Sequence, residues 1–318
     1  MRYLLPLILI ITMLSCNGKD SLLPASGGRH YDVIVSGRDS DALSVIDSVL
    51  QQPMKALPQS EPMFNLVANV DTLNATTKLA RAIVEVNIDA RHEGATKIKF
   101  TRNLYAEPQI VVRIYAKSVE AMRKDMLVQG KYLSDLLSAW EMETWLAQLK
   151  RKHDVKASRM ASKMFGADLW LSIDMMYSRK AKDFLWFSNN SATVMKNVCV
   201  YRVSCLDNLM AKRDSVWGRN IKGETDDMRM MAVAGTMITD STCFALKGKA
   251  HYNKTVRGLW EMQGDAMGGP FISRMIKDGN KGYLIVDAFL FAPNKDKRNA
   301  MRECEAMAYS LKMNKKTN

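Results

Sequence analysis

The sequence predicts an α+β protein built from two related halves, each a mainly antiparallel β-sheet with packed α-helices. Three observations lead to this fold class. The chain has 318 residues and is 47% hydrophobic, which is enough for one large core or two smaller ones. Short runs rich in β-branched and aromatic residues alternate with segments whose apolar residues recur every three or four positions. The same order of elements then occurs a second time.

The first half is predicted to begin with a strand, a short helix and a second strand. Leu43, Ile46 and Leu50 have the spacing of one helix face. Three more strands and a long helix follow, and Gly130 is expected to interrupt that helix at a cost of about 1 kcal/mol relative to alanine. The predicted strands are 31–36, 64–70, 81–89, 97–102 and 110–116, and the predicted helices are 41–51, 118–153 and 156–165.

The second half is predicted to open with a pair of strands joined by a basic turn. Apolar and aromatic runs bounded by glycine, asparagine or aspartate then mark further strands. The predicted strands are 169–176, 183–188, 197–204, 228–234, 257–262, 271–277 and 283–292, with an inserted strand at 244–249 and helices at 206–217 and 299–311.

The second half repeats the first most clearly near its C-terminus. Three pairs of identical residues lie 176 positions apart, namely Arg81 and Arg257, Glu85 and Glu261, and Asp89 and Asp265. We interpret this as an internal duplication in which each copy covers the apolar face of the other. The predicted divisions are a signal peptide at 1–15, a tether at 16–28, a first half at 29–166 and a second half at 167–318.

The N-terminus has the pattern of a bacterial lipoprotein signal. Residues 3–14 form an apolar run, but a helix that spans a membrane needs about 20 residues, so this run is too short. It ends at Leu14-Ser15-Cys16, which is similar to a lipobox, although Met13 stands where leucine is usual. We therefore expect cleavage before Cys16, acylation of that cysteine with groups that include palmitate, and anchoring in the outer membrane. The alternative is an ordinary secretory signal with an incidental cysteine.

The chain is basic, with a formal net charge of +13 that falls to +12 when Arg2 leaves with the signal peptide. A basic surface favours anionic partners. An export signal argues against nucleic acid as the partner. The expected partners are the membrane, through the N-terminal lipid, and an anionic envelope component or an envelope protein.

Cysteine and histidine usage predicts neither a metal nor a cofactor. Four cysteines remain after lipidation, and an even number allows three disulfide pairings: Cys199, Cys205, Cys243 and Cys304. Buried free thiols are the favoured interpretation, because free cysteine packs as a small hydrophobe. The sequence has no Cys-x-x-Cys or His-Glu-x-x-His motif, and its four histidines are far apart.

The glycine-rich segment 264–270 has more features of a binding site than any other stretch. Glycine lets a ligand approach the backbone, and adjacent amides can bind an anion. It opens no helix, so it is not a nucleotide-binding fingerprint, and a structural turn is the alternative. The candidate ligand-binding residues are Glu261, Gly264, Asp265, Gly268 and Gly269. No catalytic residue is assigned.

Several segments together carry a resemblance to a known family. The first of these segments is the lipobox, and the second is 23–28 together with the strand that follows it. The others are Asp183-Phe184-Leu185-Trp186, Asn189-Asn190 and the segment 257–271. They resemble a family of uncharacterised Bacteroidetes lipoproteins, a domain of unknown function. The resemblance covers nearly the whole mature chain and implies a cell-envelope lipoprotein, but it brings no activity, substrate or site residue.

A non-catalytic binding or scaffolding role in the cell envelope is therefore the favoured function. One alternative is an envelope glycan hydrolase that uses carboxylates near 264–270, since such enzymes need two carboxyls about 5–10 Å apart. Another is a protein-interaction module that presents the helix containing Trp140 and Trp145, with its basic end at Lys150, Arg151, Lys152 and His153. Packing of this helix in the core is the simpler explanation of its apolar residues.

Overall fold

The computed structural model describes residues 23–225, 227–246 and 249–314, with the backbone alone for 240–246 and 249–254. The predicted signal peptide, Cys16 and most of the tether lie outside these residues. The described chain combines α-helices with mostly antiparallel sheets, which confirms the α+β class. None of the described helices is both long enough and apolar enough to cross a membrane.

The first part of the chain forms a five-stranded sheet and two helices. Its strands are β1 (Asp32–Ser36), β2 (Asn65–Val70), β3 (Ala82–Ile88), β4 (Lys97–Arg102) and β5 (Ile110–Ala116), and its helices are α1 (Ser40–Leu50) and α2 (Val119–Arg151). The strand order is β2-β1-β3-β5-β4. Both helices pack on one face of this sheet and form a core with side chains that include Val33, Val84 and Ile114.

This first sheet departs from the predicted antiparallel pairing. β1 pairs in parallel with β2 and β3, and β3 pairs in parallel with β5, whereas β4 alone in the sheet runs antiparallel to its neighbour. The reason is visible in the consecutive buried residues at 82–84 and 110–112. Continuous apolar runs are typical of parallel strands, which are buried on both faces.

The second sheet is larger, and its strands are antiparallel. It contains β7 (Tyr177–Ala181), β8 (Phe184–Ser188), β9 (Met195–Val203), β10 (Arg229–Ala232), β11 (Ile238–Leu246), β12 (Lys249–Gln263), β13 (Gly268–Lys277) and β14 (Tyr283–Phe291). The order is β10-β12-β13-β14-β9-β8-β7, and β11 pairs with the first part of β12. A separate small pair joins β6 (Ala167–Asp168) to β15 (Lys312–Met313).

Helices cover both faces of the second sheet. Helix α4 (Leu209–Asn220) packs on one face, where Trp217 is fully buried. Helices α3 (Val155–Phe165) and α5 (Arg298–Ser310) pack on the other. The predicted division between 166 and 167 stays a prediction, although α3 contributes to the core of the second sheet.

Two sequence predictions are wrong in detail. The structure describes no strand at 169–176, where Leu169 and Leu171 are buried in an irregular segment and the polar edge strand β7 follows. The duplication is not supported in space, although the elements occur in the same order. β3 and β5 are adjacent and parallel, whereas their counterparts β12 and β14 are separated by β13. Short identities between strands can arise because strands share residue preferences.

Helix α2 connects the two sheets. Its 33 residues correspond to about 50 Å. Trp140 belongs to the core of the first sheet, whereas Met142 and Leu149 belong to the core of the second. Gly130 does not interrupt the helix. A Cβ atom there would lie 2.9 Å from Val49 Cγ2, so glycine allows α1 to pack closely against α2.

Candidate functional site

A cavity of about 1050 Å³ lies between the two parts of the chain. Helices α1 and α2 form one side, and residues of β11, β12 and α5 form the other. Small side chains on the facing helices leave this space open, namely Ser44 and Ser48 on α1 and Ser134 and Ser138 on α2. Each pair is four residues apart, so each lines one face of its helix.

The cavity lining combines apolar and basic side chains. The apolar part includes three flexible methionines, which adapt to irregular shapes: Met54, Met63 and Met126, together with Val45, Val49 and Leu127. The basic residues are Lys55, Arg123, Lys131, Arg257 and Arg302. The one carboxylate in the described lining, Asp135, is exposed and lies 2.5 Å from Lys131 Nζ. The cavity therefore favours anions.

The rim of the cavity has unpaired positive charge. Lys55 and Arg123 are exposed, and no salt bridge to either is found among the described residues. Charges of one sign that line a cleft with low-dielectric walls concentrate counter-ions there. This arrangement would draw an anionic ligand toward the opening.

A buried charge cluster forms the floor of the cavity. Glu305 on α5 is fully buried and accepts hydrogen bonds from Arg257 on β12 and from Arg302 on α5. The distance from Arg302 Nη1 to Glu305 Oε2 is 3.0 Å. Burial alone would raise the pKa of Glu305, but the two guanidiniums outweigh it and hold this pKa below its ordinary value. The cluster thus remains ionised near neutral pH.

The same floor contains polar atoms without partners. The Arg302 guanidinium lies 5.2 Å from the centre of the fully buried Tyr31 ring. Within the described part of the chain, Arg302 Nε, the Tyr31 hydroxyl and Ser138 Oγ have no hydrogen-bond partner. Burial raises the pKa of Tyr31, so its hydroxyl stays protonated. Unpaired buried polar groups cost roughly 1–3 kcal/mol each, so they need a ligand or a water molecule.

A second buried network fastens the N-terminal segment to α2. Glu141 Oε2 lies 2.6 Å from His30 Nδ1 and 3.0 Å from Arg81 Nη2. The Tyr31 backbone N–H donates to Glu141 Oε1 at 3.1 Å. The His30 ring stacks on Trp145 with 4.1 Å between centroids. This network positions Tyr31 beneath Arg302.

These contacts change the interpretation of the helix 118–153. Trp140 is buried in the core, and Trp145 is half-buried and stacks on His30, so neither is an exposed docking residue. Lys150, Arg151 and Lys152 are exposed at the C-terminal end. The interaction hypothesis therefore retains the basic end of the helix and loses its aromatic residues.

A third network lies inside the second sheet. Asp287 on β14 is fully buried and accepts hydrogen bonds from the Tyr201 hydroxyl and from Trp217 Nε1, each at 2.8 Å. Burial raises the pKa of Asp287, and the charge of Arg213 opposes that shift. The Arg213 guanidinium packs against Trp217 and Phe271, 4.5 and 4.1 Å from the ring centres. This network attaches α4 to the sheet.

The predicted glycine-rich site is a β-hairpin. The turn covers only 264–267, and Gly268 and Gly269 already belong to β13. Gly264 has φ +83°, and a Cβ at Gly269 would lie 2.0 Å from the Leu290 carbonyl oxygen. Glycine at these positions thus has a structural reason, and ligand binding by the segment stays a prediction.

The carboxylates of that segment lie away from the cavity. Glu261 and Asp265 are exposed, and neither lines the cavity. The repeated arginines, Arg81 and Arg257, do not pair with the repeated glutamates in the described structure. Glu85 pairs with Arg113 at 2.5 Å, and Arg257 pairs with Glu305. Residues four apart in one strand are about 13 Å apart, which is too far for direct contact.

Of the four cysteines that follow Cys16, three are free thiols, namely Cys199, Cys205 and Cys304. Cys199 and Cys304 are buried, and Cys205 is half-buried with its Sγ 2.8 Å from Lys212 Nζ. The side chain of Cys243 lies outside the described residues. No group of three or more potential metal ligands occurs among the described residues.

Two family models match the chain in succession. A domain of unknown function, DUF8532, matches residues 26–150, and another, DUF4837, matches residues 154–310. A comparison with curated proteins finds no match for this chain. Nearly all of the described chain is thus similar to domains of unknown function, as the sequence resemblance implied. The two matches meet between α2 and α3.

Proposed function

We propose that the protein is a non-catalytic binding protein of the bacterial cell envelope that holds an anionic ligand in the cavity between α1, α2 and the second sheet. The single observation that carries this proposal is the cavity itself, with its five basic residues and one exposed, paired carboxylate. Its volume is at the upper end of the range for small-molecule sites, about 300–1000 Å³.

The chemistry of the lining supports binding rather than hydrolysis. Acid–base cleavage of a glycan needs two carboxyl groups on opposite sides of the scissile bond. Asp135 is the one carboxylate among the described lining residues. Glu305, beneath the lining, already accepts hydrogen bonds from two arginines. Serine hydroxyls, methionine side chains and guanidiniums offer contacts to a ligand.

The proposed location is the outer membrane, with Cys16 as the lipid attachment site. The sequence of the signal segment and the resemblance to Bacteroidetes lipoproteins support it. Acyl chains contribute about 0.8 kcal/mol per buried CH₂, so two or more chains anchor a protein stably. Replacement of Cys16 by alanine should move the protein from the membrane fraction to the soluble fraction and prevent labelling with an alkyne palmitate. Retention in the membrane with undiminished labelling would contradict this location.

The binding function is tested with a variant that fills the cavity. Ser48 is exposed on α1 and lines the cavity, so Ser48→Trp places an indole in the opening. Ser40→Trp is the matched control, because Ser40 is exposed on the same helix but does not line the cavity. Each protein is purified from its native envelope and analysed by native mass spectrometry.

The wild-type protein and the Ser40→Trp control should carry the same additional mass, and Ser48→Trp should carry it in much lower yield. An additional mass that all three proteins carry equally would place the ligand elsewhere. Protein without any additional mass in all three cases, after extraction under non-denaturing conditions, would argue for scaffolding instead of binding.

A further inference from the structure

We infer that the floor of the cavity recognises an oxyanion, a carboxylate or a phosphate, and that the remainder of the ligand is an apolar chain. This inference rests on the proposed binding function and specifies its ligand. It assigns Arg302 and Arg257 to the oxyanion and the methionine-rich wall between α1 and α2 to the chain.

The charge of the floor supports an anion. Two guanidiniums share one carboxylate, so Arg257, Arg302 and Glu305 together retain one positive charge. Both arginines are only 8% exposed, and Glu305 is fully buried. An uncompensated charge in such a place is costly, and an anionic ligand group would neutralise it.

The hydrogen-bond donors of the floor support an oxyanion in particular. A guanidinium presents five N–H donors in a planar fork, which matches carboxylate and phosphate oxygens. Arg302 Nη1 donates to Glu305, whereas Arg302 Nε has no partner among the described residues although the side chain is nine-tenths buried. Ser138 Oγ, which also lines the cavity, lacks a partner as well. Both side chains line the cavity, and each has a hydrogen-bonding group that a ligand oxygen could satisfy.

The walls above the floor favour an apolar chain. Met54 and Met126 are buried, whereas Met63 is half-buried and Leu127 is 85% exposed at the opening. A polar ligand group placed against these four side chains would lack a partner, at a cost, whereas an apolar chain would not. A ligand with one oxyanion at the floor and an apolar chain toward Leu127 satisfies both surfaces.

The test compares four probes on the full chain by isothermal titration calorimetry below their micellar concentrations. Dodecanoate and dodecyl phosphate each combine an oxyanion with the same chain and distinguish a carboxylate from a phosphate. Dodecyl maltoside has that chain without the charge, and inorganic phosphate has the charge without the chain. We expect both anionic amphiphiles to bind at least about tenfold more tightly than either partial probe, because hydrogen bonds to charged groups are the strong ones.

The matched variants are Arg302→Met, which removes the positive charge of the floor, and Arg91→Met, which removes an exposed arginine away from the cavity. Arg302→Met should weaken dodecanoate or dodecyl phosphate at least about tenfold and leave dodecyl maltoside unchanged. Arg91→Met should change none of the affinities. Because Arg302→Met leaves the floor without net charge, the double variant Arg302→Met with Glu305→Gln restores one positive charge at Arg257. It should bind the anionic probes more tightly than Arg302→Met but more weakly than the wild type.

Equal binding of dodecyl maltoside, or full binding of the anionic probes by both floor variants, would overturn the oxyanion assignment. Cavity binding as such would survive that result if Ser48→Trp still abolished binding. Tight binding of inorganic phosphate alone would overturn the requirement for an apolar chain. Failure of all four probes to bind the wild-type chain would overturn the proposed ligand class. The proposed binding function would still be decided separately, by the mass spectrometry of the protein purified from its native envelope.

Discussion

Replacement of Glu305 by glutamine perturbs the floor cluster with the smallest change of shape. Glutamine keeps one carbonyl oxygen, which can accept from Arg257 or from Arg302. Its amide group then faces the other guanidinium, and two donors oppose each other. One buried arginine thereby loses its partner.

The expected loss of stability follows from the burial of the three side chains. Breaking a buried ion pair by removing one partner costs about 3–5 kcal/mol, because the other charge stays buried and uncompensated. Both arginines line the cavity and retain 8% exposure, so some solvation remains. We therefore expect a loss of about 3 kcal/mol in the free energy of unfolding.

Urea unfolding at neutral pH, followed by circular dichroism, measures this loss. Asp89→Asn is the control, because Asp89 pairs with Arg91 at 2.8 Å on the exposed surface. Exposed pairs contribute little, so the control should unfold at the wild-type urea concentration. A loss below about 1 kcal/mol for Glu305→Gln would refute the claim that Glu305 holds two buried guanidiniums in place.

The pH dependence provides an independent check. The pKa of Glu305 is lower in the folded protein than its ordinary value of 4.5. A carboxyl with a depressed pKa stabilises the fold above the unfolded-state pKa, and this contribution disappears as the pH falls through the folded-state pKa. The stability difference between wild type and Glu305→Gln should therefore be largest at neutral pH and shrink below about pH 4.5. A difference that grows in acid would contradict this assignment.

Two further predictions concern close packing. Gly269→Ala should lower the free energy of unfolding by about 1–3 kcal/mol, since its Cβ would overlap the Leu290 carbonyl. Urea unfolding should show a smaller loss for Gly27→Ala, where the nearest atom to the added Cβ lies 4.0 Å away. Burial raises the pKa of the Cys199 and Cys304 thiols, so iodoacetamide should leave both unlabelled in the native protein and label them in urea, as peptide mass spectrometry would detect. Rapid native labelling of either thiol would contradict its burial.

Local patterns predicted most of the elements. Strands 97–102 and 110–116 have the predicted bounds, and α1, α2, α3 and α5 begin and end within two residues of the predicted positions. Side-chain periodicity and glycine or asparagine at the ends determine such elements locally. Gly166, for example, ends α3 with φ +66°, a conformation that glycine adopts without strain.

Strand direction and the cavity depend on contacts that local patterns do not encode. The parallel pairing of β3 and β5 depends on how β4 crosses to the sheet edge, and the element order alone allows either direction. The cavity brings together α1, α2, β12 and α5, whose residues are up to about 260 positions apart in sequence. Loop-closure entropy varies slowly with such separations, so sequence distance does not indicate which segments meet.

Some signals for the site were nevertheless present in the sequence. Glu305 is an acid on a helix face that also includes Met301, Ala308 and the basic Arg302, and a buried acid requires basic partners. Ser44 and Ser48, four residues apart, mark a narrow face of α1 where another group can approach. Neither signal identifies its partner before the fold is known.

The crystal structure of the full chain with dodecyl phosphate tests the central claim most directly. The predicted result is electron density in the cavity between α1 and α2, with a phosphate oxygen within hydrogen-bonding distance of the Arg302 guanidinium and the alkyl chain against Met63 and Met126. Density at the 264–270 hairpin with none in the cavity, or a ligand whose phosphate points away from Arg302, would contradict the account.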